Sequence, residues 1–150
     1  MTPVDVHQIR ALARRMAEQG TDVRAEATDL VARCRAVGWT GLSGAAMVDQ
    51  AVGQARALDV IAELHDTAAS ELRAHAAAVE ARLALIGEIE RRVHAAVDAA
   101  RSRLRRFLDG LLDAVDPRDE ALAAFSPPPP GSPLWLEVRL PGVVLPGPLR

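Results

Sequence analysis

The side chains that could carry chemistry are few: His7, His65, His75 and His94, the lone Cys34, Ser43 within Gly41-Leu42-Ser43-Gly44, and the arginines Arg101, Arg103, Arg105 and Arg106. A metal ion needs three or four ligands converging on one point. His65 and His75 lie ten residues apart, and His94 with Asp98 makes an i, i+4 pair on one helix face. Neither spacing is a recognised ligand pattern, and the His94–Asp98 pair reads as a surface hydrogen bond. Ser43 lacks the strand–turn–helix setting of a nucleophile elbow and reads as a helix cap. Cys34 falls on a packing stripe, and a single cysteine excludes an internal disulfide. Four arginines could meet phosphate. They point around the helix, have only Phe107 for stacking, and sit in a chain of net charge −2, so they read as a solvated face. With no phosphate loop and no paired titratable groups, the chain is expected to be non-enzymatic. No cofactor, metal or nucleic acid is expected.

The elements that would hold these side chains are helices. Apolar residues make up 49% of the 150, much of it alanine, and aromatics only 3%. Such a core is thin and suits helices packed side by side. Between the prolines at 3 and 117 the sequence is rich in Ala, Leu, Arg and Glu, which favours helix. Thr2 reads as an N-cap, with Pro3 at the first helical position and Asp5 three residues after the cap. In this first helix, about 3–37, Ile9, Met16, Val23, Leu30 and Val37 recur every seven residues. Ala13, Gly20, Ala27 and Cys34 follow four residues after the first four, a small-residue set that admits a close neighbour. Gly20 costs about 1 kcal/mol in a helix interior; the helix is expected to continue through it.

Val37-Gly38-Trp39-Thr40-Gly41-Leu42-Ser43-Gly44 then reads as a tight turn, 38–43, with the Trp39 ring locking the hairpin by packing on both helices. The second helix is expected over about 44–115. Its early face holds Met47, Val48, Ala51, Val52, Ala55, Leu58, Ile61 and Leu64. Further on, Leu72, Val79, Ile86, Val93, Ala100 and Phe107 are spaced by seven, with Ala76, Leu83, Val97, Leu104 and Leu111 four later and Glu90 interrupting. Helix one would span roughly 52 Å and helix two roughly 108 Å. The stripe from Val79 to Leu111 thus lacks a partner within the hairpin, and such a stripe does not stay wet. A break at Gly87 or at His65-Asp66-Thr67 would fold the chain back. The absence of turn residues there favours a long helix and a partner chain, through Leu72, Val79, Leu83, Ile86, Val93, Val97, Leu104, Phe107 and Leu111.

Asp116-Pro117 stops that helix and starts a short one over 116–125, with Asp119 three residues after the cap. Residues 126–150 read as a Pro-rich tail. Ser126 to Pro133 is expected to be extended polyproline, and residues 134–140 alternate like a short strand. Trp135, Leu136, Leu140, Val143, Val144 and Leu145 give this tail more apolar content than a disordered linker carries. Docking on the helices, docking on a partner and a mobile tail are all open.

Trp39-Thr40-Gly41 between two Ala-rich helices resembles the Trp-X-Gly family of type VII (ESX) secretion substrates, over roughly residues 1–85. The resemblance places the motif on Trp39 and Gly41 and implies an all-α antiparallel hairpin. It implies a homodimer or heterodimer with another helical hairpin, presented to the type VII machinery. Such a protein is cytoplasmic before export and reaches the cell surface or medium without a Sec signal, and MTPVDVHQIR lacks the order of one. The family's Tyr-x-x-x-Asp/Glu signal is absent, since the sequence has no tyrosine. No apolar run reaches membrane-spanning length. The alternative is a cytosolic coiled-coil adaptor, with an arginine-cluster nucleic-acid binder as a third reading.

Overall fold

The computed structural model describes residues 5–147. The protein is all-α: α1 (Val6–Ala36) and α2 (Leu42–Leu108) pack together as a long antiparallel helical hairpin. The short α3 (Pro117–Ala123) and a 3-10 turn (Pro133–Glu137) follow. There is no strand among the described residues. The chain divides into two compact units, one up to Val79 and one from Glu80, and α2 contributes to both.

Thr2 and Pro3 lie outside the described residues. Asp5, expected inside the first helix, is its N-cap: the carboxylate accepts the His7 N–H at 2.9 Å and the carbonyl accepts from Gln8 and Ile9. Every seventh residue then disappears into the first unit. Ala13, Gly20 and Ala27 are buried on α1; Ala55, Ala62, Ala69 and Ala76 are buried on α2. Their larger neighbours Ile9, Met16, Val23 and Leu30 are only half-buried. The small set forms the seam and the large set flanks it. Gly20 shows why. A methyl group there would stand 3.0 Å from Asp66 Oδ1 and 3.2 Å from the Ala62 carbonyl oxygen. Its helical penalty of about 1 kcal/mol is offset by the close approach it permits, and α1 runs through it uninterrupted. Beside it the Arg24 guanidinium pairs with Asp66.

α2 is unbroken at both suspected sites. His65 Nδ1 pairs with the Ile61 carbonyl and Thr67 Oγ1 donates to that of Glu63, both at 2.9 Å, so these polar side chains bond back along the helix instead of opening a turn. The helix ends seven residues earlier than its apolar pattern predicts. Gly110 has φ +75°, its N–H donates to the Phe107 carbonyl, and Leu111 N–H donates to that of Arg106. This is a Schellman stop, requiring a residue that tolerates the left-handed region. Leu111 therefore lies beyond the helix, 67% exposed, and does not continue the stripe.

In the second unit, Asp116 caps α3 by accepting the Arg118 N–H at 2.9 Å, with Pro117 at the first position. Its main apolar cluster joins Ile86, Ile89, Val93 and Val97 from α2 with Trp135 and Val138 from the C-terminal segment; Ala100 and Leu122 are buried as well. Phe125, Leu136, Leu140 and Leu145 pack around it.

Candidate interaction surface

The hairpin turn is built on glycine. Gly38 closes α1 with φ +69°, its N–H donating to the Arg35 carbonyl, and Gly41 (φ +83°) accepts the Ala45 N–H at 3.1 Å, the first hydrogen bond of α2. Ser43, expected as the cap, lies inside the helix. Gly44 is buried against the main chain of Trp39: a methyl group there would fall 2.8 Å from the Trp39 carbonyl carbon. The space under the turn is thus filled by the backbone of Trp39, not by its indole. Trp39 is 66% exposed, which corrects the expectation that it plugs the hairpin. Leu42 and Val37 are exposed next to it in sequence. Farther along α2, Val60 and Leu64 are also more than half exposed.

The tryptophan that does plug a core is Trp135, 1% exposed. Its Nε1–H donates to the Pro129 carbonyl at 2.9 Å, and its ring lies 5.6 Å from that of His94, tilted by 55°. The aromatic neighbour of His94 thus comes from the C-terminal segment. Residues 134–140, expected as a strand, begin as a 3-10 turn capped by Ser132, whose hydroxyl accepts the Leu134 N–H, with Pro133 at its first position. A single 3-10 turn suffices to swing Trp135 and Val138 onto α2; a strand would need an edge to pair with, and there is none among the described residues.

This segment, a strap over α2, changes the meaning of the apolar stripe. Ile86, Val93 and Val97, expected to meet another chain, are buried under Trp135 and Val138 of their own chain. Leu72, Val79 and Leu104 are half-buried, while Leu83 and Phe107 remain exposed. Glu90, the polar interruption, accepts the Gly131 N–H, and Arg92 donates to the Val144 carbonyl at 3.1 Å. These two bonds tie the strap down on either side of the Trp135 cluster. An open apolar cleft of about 260 Å³ lies at its margin between Leu85, Ile89, Leu140 and Leu145.

Charges serve the same attachment. Arg103, one of the four clustered arginines, makes a two-pronged ion pair with Asp119, at 2.7 and 2.6 Å. Asp119 is 7% exposed, and the Arg103 guanidinium holds its carboxyl below the usual carboxylate range. It locks α3 onto α2, a role its position three after the cap did not reveal. Glu88 is likewise held low by hydrogen bonds from Arg92 and Arg91. Cys34 is half-buried and free. Among the described residues no three His, Cys, Asp or Glu side chains gather as a metal site, and no helix is long and apolar enough to cross a membrane.

Fold and surface together define an all-helical hairpin with a strapped second arm. No family model, no curated protein and no solved structure matches this chain.

Proposed function

We propose that this protein works by binding another protein and not by catalysis, in the manner of the Trp-X-Gly helical hairpins of type VII secretion, with the first unit as its pairing arm. One observation carries the reading. The seam between α1 and α2 is alanine and glycine, while the large apolar side chains stand at its margins or on the outside, among them Trp39, Leu42, Val60 and Leu64. An alanine contributes about a third of the burial free energy of a leucine, so this hairpin leaves its stronger apolar groups for a second hairpin to cover. The strap occupies Ile86, Val93 and Val97, so pairing uses the first unit. With no tyrosine in the sequence, a Tyr-x-x-x-Asp/Glu export signal would come with the partner. The same tyrosine count favours the second reading, a cytosolic coiled-coil adaptor.

Export decides between them. The epitope-tagged chain is expressed in type VII-competent cells and in isogenic cells lacking the secretion ATPase. Tagged protein in the medium of the first culture alone supports the proposal. Retention in both cultures, with a candidate pairing hairpin co-expressed, overturns the secretion part and leaves the adaptor.

A further inference from the structure

We infer that Ser126–Pro130 is a docking site for a protein domain that reads polyproline II helices through an aromatic-lined groove. Proline fixes φ near −65° and drives the residue before it out of the helical region. Ser126, Pro127, Pro128 and Pro129 each precede a proline, so all four are held in the extended left-handed helix. Its three-residue period is visible in the burial: Phe125 and Pro128 are half-buried, whereas Ser126, Pro127, Pro129 and Pro130 are exposed. One ridge is half-buried and two are exposed. The exposed ridges carry the pairs Ser126-Pro127 and Pro129-Pro130, one turn or about 9 Å apart. That is a P-x-x-P register, the arrangement that a groove walled by aromatic rings receives.

The structure also presents the run ready-made. Pro129 to Ser132 is a type II turn: Ser132 N–H donates to the Pro129 carbonyl at 3.1 Å, Pro130 takes the second position and Gly131 the third, with φ +70°. The Pro129 carbonyl also accepts the Trp135 indole N–H, and Gly131 N–H is held by Glu90. The far end of the run is thus clamped to a buried tryptophan while Pro127, Pro129 and Pro130 stay exposed. No charged residue lies between Glu120 and Glu137, so recognition would rest on ring–proline contact and on donors from the partner to free proline carbonyls. This site lies outside the hairpin and stands whether or not the secretion reading holds.

The test uses isotope-labelled probe domains, one WW domain and one P-x-x-P-reading domain, titrated with the unlabelled full chain and separately with a synthetic peptide of residues 123–133. Saturable shifts confined to the groove aromatics of a probe are expected. The full chain should bind that probe at least as tightly as the peptide, because the turn and clamp pre-order the run. Pro127→Ala and the Pro127→Ala/Pro130→Ala pair should each weaken binding, the pair by roughly tenfold or more. Helical circular dichroism and Trp135 emission should stay unchanged in both. Pro127→Ala is remote from the clamp, so it reports on recognition even if the double variant loosens the strap. A peptide that binds while the full chain does not would show the run occluded and overturn the inference. So would binding by neither, or full-chain binding that both substitutions leave intact.

Discussion

Replacing Trp135 with alanine should release the strap while leaving the first unit folded. The indole is 1% exposed at the centre of the Ile86–Val97 cluster, and its N–H bonds the Pro129 carbonyl. Truncating a buried tryptophan costs about 3–5 kcal/mol, and each 1.4 kcal/mol is about tenfold in population, so the undocked fraction should rise roughly 100- to 4,000-fold. Trp135→Phe keeps most of the apolar ring and loses the hydrogen bond and some volume. At about 1–2 kcal/mol, the undocked fraction should rise only about 5- to 25-fold. The assay is trypsin cleavage of Arg139–Leu140. In the docked strap the Arg139 guanidinium is held by the carbonyls of Leu136 and Val138. When reclosing outruns cleavage, the rate follows the open population. Cleavage at Arg14 and Arg15 on α1 is the internal control and should not change. An increase at Arg139 below about tenfold for Trp135→Ala, or an equal rise at Arg14, would show that this side chain is not what fastens the strap.

Three further outcomes follow from the same contacts. Gly44→Ala forces a methyl group onto the Trp39 main chain; it should lower stability by about 2 kcal/mol or more, read as a drop in thermal midpoint. Ala62→Leu, at a seam position that is 0% exposed, should destabilise the hairpin by about 1–3 kcal/mol in urea unfolding, because the helices have no room to separate locally. Asp119→Asn tests the Arg103 lock through pH. Arg103 lowers the folded-state pKa of Asp119, so the carboxylate's stabilisation is present above its unfolded pKa of about 3.9 and is lost as pH falls through the lower folded value. The variant should therefore melt earlier than the natural protein at pH 7, and the gap should close on acidification below about pH 4. A gap independent of pH would mean the ion pair is not its source.

Much of the first unit was legible in the sequence because its rule is local. A seven-residue spacing of Ala13, Gly20 and Ala27 marks one helix face, and the structure buries that face. Asp116-Pro117 marked the start of α3 for the same reason: capping needs only neighbours in sequence. The stop at Leu108 was also local, in Asp109-Gly110, but the apolar pattern beyond it masked the signal. What periodicity could not supply was the partner of each face. Ile86, Val93 and Val97 announce that something apolar must cover them, and a seam on a long helix points to another helix. The cover is instead Trp135 and Val138, some forty residues on, delivered by a proline-rich segment whose order comes from fixed dihedrals and one buried ring. Trp39 departs from its expected place for the converse reason. A tryptophan in a turn suggests a plug, but Gly44 lets the main chain take that place.

Under the proposed function, association runs through the first unit, with its exposed turn at Trp39 and Leu42, and not through the strapped stripe. Sedimentation equilibrium of the full chain over a wide concentration range, with and without Trp39→Ser/Leu42→Ser, tests it most directly. The expected result is a two-chain species, of twice the 16.0 kDa chain mass for self-pairing or of the summed masses when a candidate pairing hairpin is added, that the double substitution returns to single chains with its helix content intact. A natural chain that stays at 16.0 kDa both alone and with the candidate hairpin, or a double variant that associates as strongly as the natural one, would show that pairing does not use this surface.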